Sequence, residues 1–186
     1  MAAPDHLVPR DILPSARSVI VFFLPFHRAL AKENVRAGDL AAHSWGEAYF
    51  RTNLLIGRAV AHLCARLGDL GHAASGMPAT ADFDTATLRS RWSHKHVGYV
   101  AGLGTFGHNH LLITREGCCG RLGSLVTEAP LPATPRPREE YCLVKAGHSC
   151  HACVKRCPPA ALTKEGLDHR ACWAQLQRNE LLFPQW

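Results

Sequence analysis

At 186 residues and 47% hydrophobic, the chain is ordinary globular material, large enough for one sizeable core plus a small satellite unit. Its formal charge of +6 and pI near 9.0 admit an acidic or nucleic-acid partner. The Lys and Arg are scattered, however, with no basic run interleaved with aromatics, so a modestly basic surface is the plainer reading. The opening MAAPDHLVPRDILPSARSV has no apolar signal core, and no later stretch reaches the ~18 uninterrupted apolar residues of a membrane span. A cytoplasmic protein without membrane partners is the expectation. Twelve histidines occur without an HExxH pattern and are assigned to no metal.

In chain order, Ser18–Pro25 (SVIVFFLP) is a β-branched and aromatic run bounded by prolines, predicting a strand buried on both faces and central in its sheet. Ser44 and Glu47 are spaced as a capping box heading a helix over Ser44–Leu67, with an apolar stripe at Ile56, Val60, Leu63, Cys64 and Leu67. Cys64 on that stripe reads as an inert core thiol. Gly68 and Gly71 end the helix. His72–Phe83 reads as loop with room for a short strand before the acidic pair Asp82 and Asp84. Asp84–Thr85 is spaced to cap a second helix running through Leu88, Trp92 and His96 to about Tyr99.

The stretch AGLGTFGHN follows. Gly102, Gly104 and Gly107 formally satisfy G-x-G-x-x-G, but that dinucleotide fingerprint needs a strand before it and a helix after it. Here a helical segment precedes and a strand-like one follows. A Gly-rich turn permitting close approach of another backbone or of a flat ligand is the better reading, with Gly102, Gly104, Thr105, Phe106 and Gly107 as the cofactor-facing candidates. Leu111–Thr114 and Leu122–Thr127, separated by REGCCGR, read as the two strands of one hairpin. Cys118 and Cys119 in that turn are free thiols or neighbours of a redox centre, since adjacent cysteines close a strained ring. Pro130, Pro132, Pro135 and Pro137 then make a stiff linker over 129–138. It divides an α/β (α+β) sheet-and-helix domain, 1–130, from a cysteine-rich module, 139–186.

That module begins with YCLVKAGHSCHACVKRCPPAAL, which holds four of the eight cysteines within sixteen residues. Cys150, Cys153 and Cys157 have the spacing C-x2-C-x3-C-P, the last part of the bacterial ferredoxin run for 4Fe-4S clusters. Gly147 stands where that run has its first cysteine, and Cys142 is placed to loop back in its stead. Pro158 suits the first turn of a helix over Pro158–Leu162. Thr163–Gly166 then reads as a turn and Asp168 as the cap of a last helix carrying Cys172, a fifth candidate ligand. Structural zinc would accept the same thiolates by ligand chemistry, but the spacing is nearer a ferredoxin than a zinc ribbon. A disulfide framework is disfavoured in a chain this size without a signal peptide.

SRWSHKHVGYVAGLGTFGHNHLLITREGCCGRLGSLVTEAPL, followed by the cysteine run and LDHRACWAQL, resembles the epoxyqueuosine reductase-like iron–sulfur proteins, and the similarity extends from about DILPSARSVIVFFLPF to the C-terminus. The resemblance implies a nitroreductase-like domain holding cobalamin, joined to a ferredoxin-like module that passes electrons to the cobalt. The reaction implied is reductive, on a tRNA nucleoside epoxide or, in distant relatives, a halogenated compound. An electron-donor protein such as a ferredoxin or flavodoxin would supply the cluster. Relatives carry a further cysteine motif beyond the position of Cys172, so this chain reads as shortened at both ends. By the family pattern Cys142, Cys150 and Cys153 serve one cluster and Cys157 and Cys172 the other. With one cluster, the fourth thiolate is Cys157 or Cys172, and the local Cys157 needs less loop closure.

The leading expectation is therefore an iron–sulfur reductase in which the cluster exchanges electrons with a flat cofactor, cobalamin before flavin, lodged against AGLGTFGHN. Asp84 is the carboxylate that the resemblance places nearest a proton donor, with a helix cap as its plainer role. His96 and Tyr99, at i and i+3 on one helical face, are the alternative proton sources. Two other classes stay open at this stage: a non-catalytic single-cluster electron carrier, and a zinc-stapled binding module.

Overall fold

A computed structural model describes residues 5–79 and 83–183. Its centre is Gly120–Thr127, labelled β7 by its place in the chain, whose Gly123–Thr127 half is wholly buried. Strand β1 (Ser18–Pro25) pairs with it antiparallel along eight residues, and β2 (Ala74–Met77) covers its other edge, giving the order β1-β7-β2. The expected strand at Ser18–Pro25 thus forms, but at the edge of the sheet and only half-buried. An apolar run reports that a strand's faces are covered, not that both its edges are paired, and β7 takes the centre.

The two faces of β7 carry different neighbours. Leu125 packs with Ile56 and Val60 of α3 (His43–Asp69), with Leu63, Cys64 and Leu67 along the same helical stripe. Gly123 lets the helix close on the sheet, since a Cβ there would lie 2.8 Å from Ile56 Cγ2. On the other face Val126 packs with Ala16 and Trp92. The buried Ser124 hydroxyl accepts from Trp92 Nε1–H at 3.0 Å and meets His94 Nδ1 at 2.8 Å. His94 Nε2 faces the Pro78 carbonyl at 3.2 Å, so Nε2–H donates there and Nδ1 accepts from Ser124. Burial keeps this imidazole neutral by lowering its pKa.

Helix α3 follows a short α1 (Pro9–Ile12) and α2 (Arg28–Arg36). Its expected capping box is not made. Ala42 is the N-cap, Ser44 donates instead to Glu33, and Glu47 pairs with Arg51. At the far end Gly71, at φ +82, turns the chain so that its own N–H meets Gly68 O and that of His72 meets Leu67 O, a Schellman closure.

The helix expected from Asp84 is replaced by a hairpin, β3 (Phe83–Asp84) against β4 (Arg89–Ser90), and helix α4 covers only His94–Val100. The Asp84 carboxylate accepts from the N–H groups of Ala86 and Thr87 and from Thr87 Oγ1–H, and such a local bond competes with helix formation. Asp82 of the acidic pair lies outside the described residues. The expected single hairpin after the glycines is also corrected. Strand β6 (Leu112–Thr114) pairs with β5 (Gly104–Phe106), while β7 joins the larger sheet. Thr114 and Gly117 close the turn signal between themselves, and Phe26 N–H then takes the Cys119 carbonyl, handing the chain to β1.

Beyond the proline-rich segment, the short helix is α5 (Ala152–Lys155), not Pro158–Leu162. Pro159 disfavours helical backbone at Pro158, and Ala160 turns to φ +50. Leu162 and Leu167 bridge around the expected Thr163–Gly166 turn, and Asp168 caps α6 (His169–Glu180) through the N–H groups of Arg170 and Ala171. This last helix packs back on the N-terminal half through Gln175 to the Asp39 carbonyl and Asn179 to Ala41 N–H.

Candidate metal and cofactor site

All five candidate thiols are free, with Cys142 buried and Cys150, Cys153, Cys157 and Cys172 half-buried. Two sulfurs already take backbone amides: Cys142 Sγ accepts from His108 N–H and Cys157 Sγ from Leu162 N–H, each at 3.3 Å. Burial raises the Cys142 pKa, yet the amides of His108, Lys145 and Val144 and the Lys145 ammonium outweigh it and bring the thiol below its ordinary value. Cys172 is held up by burial and by the neighbouring Cys157 sulfur, against a smaller pull from Lys95. The half-buried Lys95 donates to the His110 carbonyl at 3.1 Å. Left-handed backbone at Gly147 (φ +89) and His151 (φ +61) brackets Cys150. Among the described residues no three His, Cys, Asp or Glu side chains converge to hold a metal ion. The chemistry of the donor set is still that of thiolate ligands: none of the five sulfurs is in a disulfide, and two of them receive backbone amides of the kind that stabilise thiolate charge.

The Gly-rich stretch is strand β5 with its approaches. Gly104, Thr105 and Gly107 are buried, Phe106 is half-buried, and of the five candidates Gly102 alone lines the neighbouring cleft. Gly102 serves the chain itself: at φ +81, a Cβ there would lie 2.8 Å from the carbonyl oxygens of both Thr134 and Pro135. The helix-then-strand context removes the dinucleotide fingerprint. Thr105 Oγ1 accepts from Tyr141 N–H at 3.0 Å, next to the Cys142–His108 bond, so the Gly-rich segment and the cysteine segment are joined directly.

An open cleft of about 1020 Å³ runs between Ala101–Leu103, Val21–Phe23 and the 134–141 segment, with Arg115, Arg136, Arg138 and Tyr141 on its wall. That is at the upper end of the ~300–1,000 Å³ of small-molecule sites. The Arg136 guanidinium stands 5.1 Å from the Tyr99 ring centre.

The proposed proton sources differ in environment. His96 packs at a tilt against Phe106, ring centres 4.9 Å apart, and burial followed by the Lys95 charge pushes its pKa down to about 4, so it is a neutral imidazole. Tyr99 contacts the same Phe106 ring at 5.4 Å. Asp84 is exposed, and its bonds to Thr87 and Ala86 lower its pKa, keeping it ionised in this hairpin. Sequence reasoning missed His108, Lys95 and the cleft arginines. His108 acts through its backbone, which no side-chain pattern reveals, whereas the Arg136-Pro137-Arg138 alternation inside the linker was a visible signal.

No protein-family model matches the chain. The mixed helix-and-sheet fold is that of solved reductases: it aligns with the structure of epoxyqueuosine reductase from Streptococcus thermophilus at TM-score 0.66 and 21% identity, over 94% of this chain and 44% of that one. A crystal structure of epoxyqueuosine reductase with an epoxyqueuosine-modified tRNA-Tyr stem loop aligns at TM-score 0.62 and 20% identity, over 94% and 45%. Curated epoxyqueuosine reductases are homologues across most of the chain. That of Synechocystis sp. is 29% identical over 175 residues, 88% of this chain and 52% of its own. That of Gloeobacter violaceus is 30% identical over 168 residues, 89% and 47%. The chain spans about half the length of the curated relatives it matches.

Proposed function

We propose that the chain is an epoxyqueuosine reductase-like oxidoreductase with a nitroreductase-like unit at 1–130, a linker at 129–138 and a ferredoxin-like unit at 139–186 that holds a 4Fe-4S cluster. The observation that carries this reading is the pair of bonds joining Thr105 to Tyr141 and His108 to Cys142, since electron exchange requires the cluster loop and the cofactor cleft to be neighbours. Cys142, Cys150 and Cys153 are the proposed ligands, with Cys157 and Cys172 competing for the fourth corner. When bound, a 4Fe-4S cluster supplies single electrons and a cobalamin supplies a reducible cobalt centre.

The chain's own residues prepare the cleft for such a group. Arg115, Arg136 and Arg138 offer cations to anionic parts of a cofactor or of a tRNA nucleoside substrate, the substrate class suggested by the stem-loop complex of the structural relative. The Ala101–Leu103 backbone and Val21–Phe23 provide an apolar wall for a flat ring, with cobalamin preferred to flavin. Neutral His96 and Tyr99 both pack on the Phe106 ring and remain the alternative proton sources. Asp84 remains the proposed carboxyl donor, on an exposed turn that must release its Ala86 and Thr87 bonds before it carries a proton. A ferredoxin or flavodoxin is the electron donor this reading requires, and the cytoplasm its compartment.

Anaerobic reconstitution with iron and sulfide tests the cluster: a broad absorption at about 400 nm, bleached by dithionite, is expected. It should be lost in Cys142→Ser, Cys150→Ser and Cys153→Ser, and a comparison of Cys157→Ser with Cys172→Ser identifies the fourth ligand. Tight zinc binding without that band would sink the reading in favour of a zinc-stapled module. Titrating the reduced protein with cobalamin and with flavin tests the cleft. If neither spectrum moves, the substrate-reducing role falls and an electron carrier remains.

A further inference from the structure

The turn between β6 and β7 carries two adjacent thiols that neither the sheet nor the cysteine segment uses. Cys118 is half-buried and Cys119 exposed, and both are free. The two side chains are sequence neighbours on one turn, and Asn109 Nδ2–H donates to Cys118 Sγ at 3.6 Å. The backbone on both sides is fixed. Thr114 and Gly117 exchange N–H···O bonds, and the Cys119 carbonyl accepts from Phe26 N–H at 2.8 Å. The two arginines flanking the pair are engaged elsewhere: Arg115 donates to Tyr141 Oη at 3.3 Å, and Arg121 donates to Asn53 Oδ1 at 2.9 Å and lies over the Tyr49 ring, while Glu116 is the charged side chain within the turn itself.

We propose that Cys118 and Cys119 are a redox-reactive vicinal dithiol that exchanges with small-molecule disulfides, with Cys118 attacking and Cys119 resolving. The adjacent Cys119 thiol, against burial and with help from Asn109, lowers Cys118 to about 6, while the neighbouring Cys118 and burial raise Cys119. The pair therefore divides into a thiolate at neutral pH and a thiol that keeps its proton until needed. Cys118 thiolate bonds to one sulfur of the incoming disulfide as that S–S bond breaks, releasing one small thiolate that takes a proton from water. Cys119 then loses its proton to water and attacks Cys118 Sγ, displacing the second small thiolate. Two protein thiols lose two electrons and one disulfide is reduced to two thiols.

Neighbouring Cα atoms lie about 3.8 Å apart, short of the ~4.4–6.8 Å that most disulfides span. The resulting ring is strained, and strain makes a disulfide easily reduced. The pair is consequently a reversible site and not a staple, and it is independent of whether the cysteine segment holds a cluster.

Glutathione disulfide serves as the probe on the full chain, followed by acid quench, alkylation and tryptic mapping. Cleavage after Arg115 and Arg121 isolates Glu116–Arg121, which contains Cys118 and Cys119 and no other cysteine. Under excess glutathione disulfide this peptide should lose two hydrogens and carry no glutathione, and reduced glutathione should restore both thiols. In Cys119→Ser the reaction should stop at one glutathione on Cys118. At pH 6 its rate should exceed that of Cys119 in Cys118→Ser roughly tenfold, the larger thiolate fraction being partly offset by lower nucleophilicity. A wild-type peptide that stays doubly alkylatable, or that keeps a stable glutathione adduct, overturns the proposal. So do equal rates in the two variants.

Discussion

Strand β7 with its two covering layers and the segment 139–168 solve the problem of staying folded by different means. The first buries Leu125, Val126, Ile56, Val60 and Trp92 and satisfies its interior hydroxyl through Trp92 and His94. The second buries only Cys142, Ala161 and Leu162 and has a four-residue helix as its one regular element. It is held by turns and by scattered bonds to the rest of the chain, from Tyr141 to Thr105, from His108 to the Thr163 carbonyl, and from Arg156 to the Val35 carbonyl. So little apolar burial cannot by itself offset the entropy of ordering thirty residues at about 1 kcal/mol or more each. The lesson is that the segment's order must come from ligation or docking, whereas the sheet's comes from burial.

The contrast can be broken most forcefully in the sheet. Leu125→Ala removes a fully buried side chain from between β7 and α3 and should cost about 2–5 kcal/mol, read as a lowered urea midpoint. A loss below 1 kcal/mol would mean that β7 is not the centre of stability. Next in size, iron and sulfide added anaerobically should slow tryptic cleavage after Lys145 and Lys155 by about a hundredfold at a hundred times the dissociation constant. Amide exchange in β7 should stay unchanged, and parallel slowing in both regions would erase the distinction. Ser124→Ala leaves Trp92 Nε1–H and His94 without their shared partner and should cost about 1–3 kcal/mol in thermal denaturation. Asp168→Ala, at the cap of α6, should cost about 1 kcal/mol and loosen the docking of that helix, visible as faster exchange at Arg170 and Ala171.

The smallest effect concerns pH. His94 and His96 have folded pKa values below the unfolded value of about 6.5, so the stability they lend as neutral groups is present above it and is lost as pH falls towards the folded values, about 4 for His96. Urea midpoints should therefore drop between pH 7 and pH 5, and His96→Gln should flatten part of that slope. A flat wild-type profile would show these imidazoles to be solvated.

Local rules legible in single segments survived folding. The stripe from Ile56 to Leu67 found its sheet, Gly71 closed α3 and Asp168 capped α6, because helix period and cap chemistry are short-range quantities. The same short-range logic failed where two local options competed or where the partner lay far along the chain. Asp84 chose a tight turn over a helix cap. Pro159 denied Pro158 a helix. β6 and β7 left each other for β5 and for β1 and β2. Only tertiary structure decided that β7 occupies the centre, that Gly102 makes room for the Thr134 and Pro135 carbonyls, and that His108 places its amide on Cys142. Those outcomes depend on which distant surfaces can be covered together, a quantity that no stretch of sequence carries by itself.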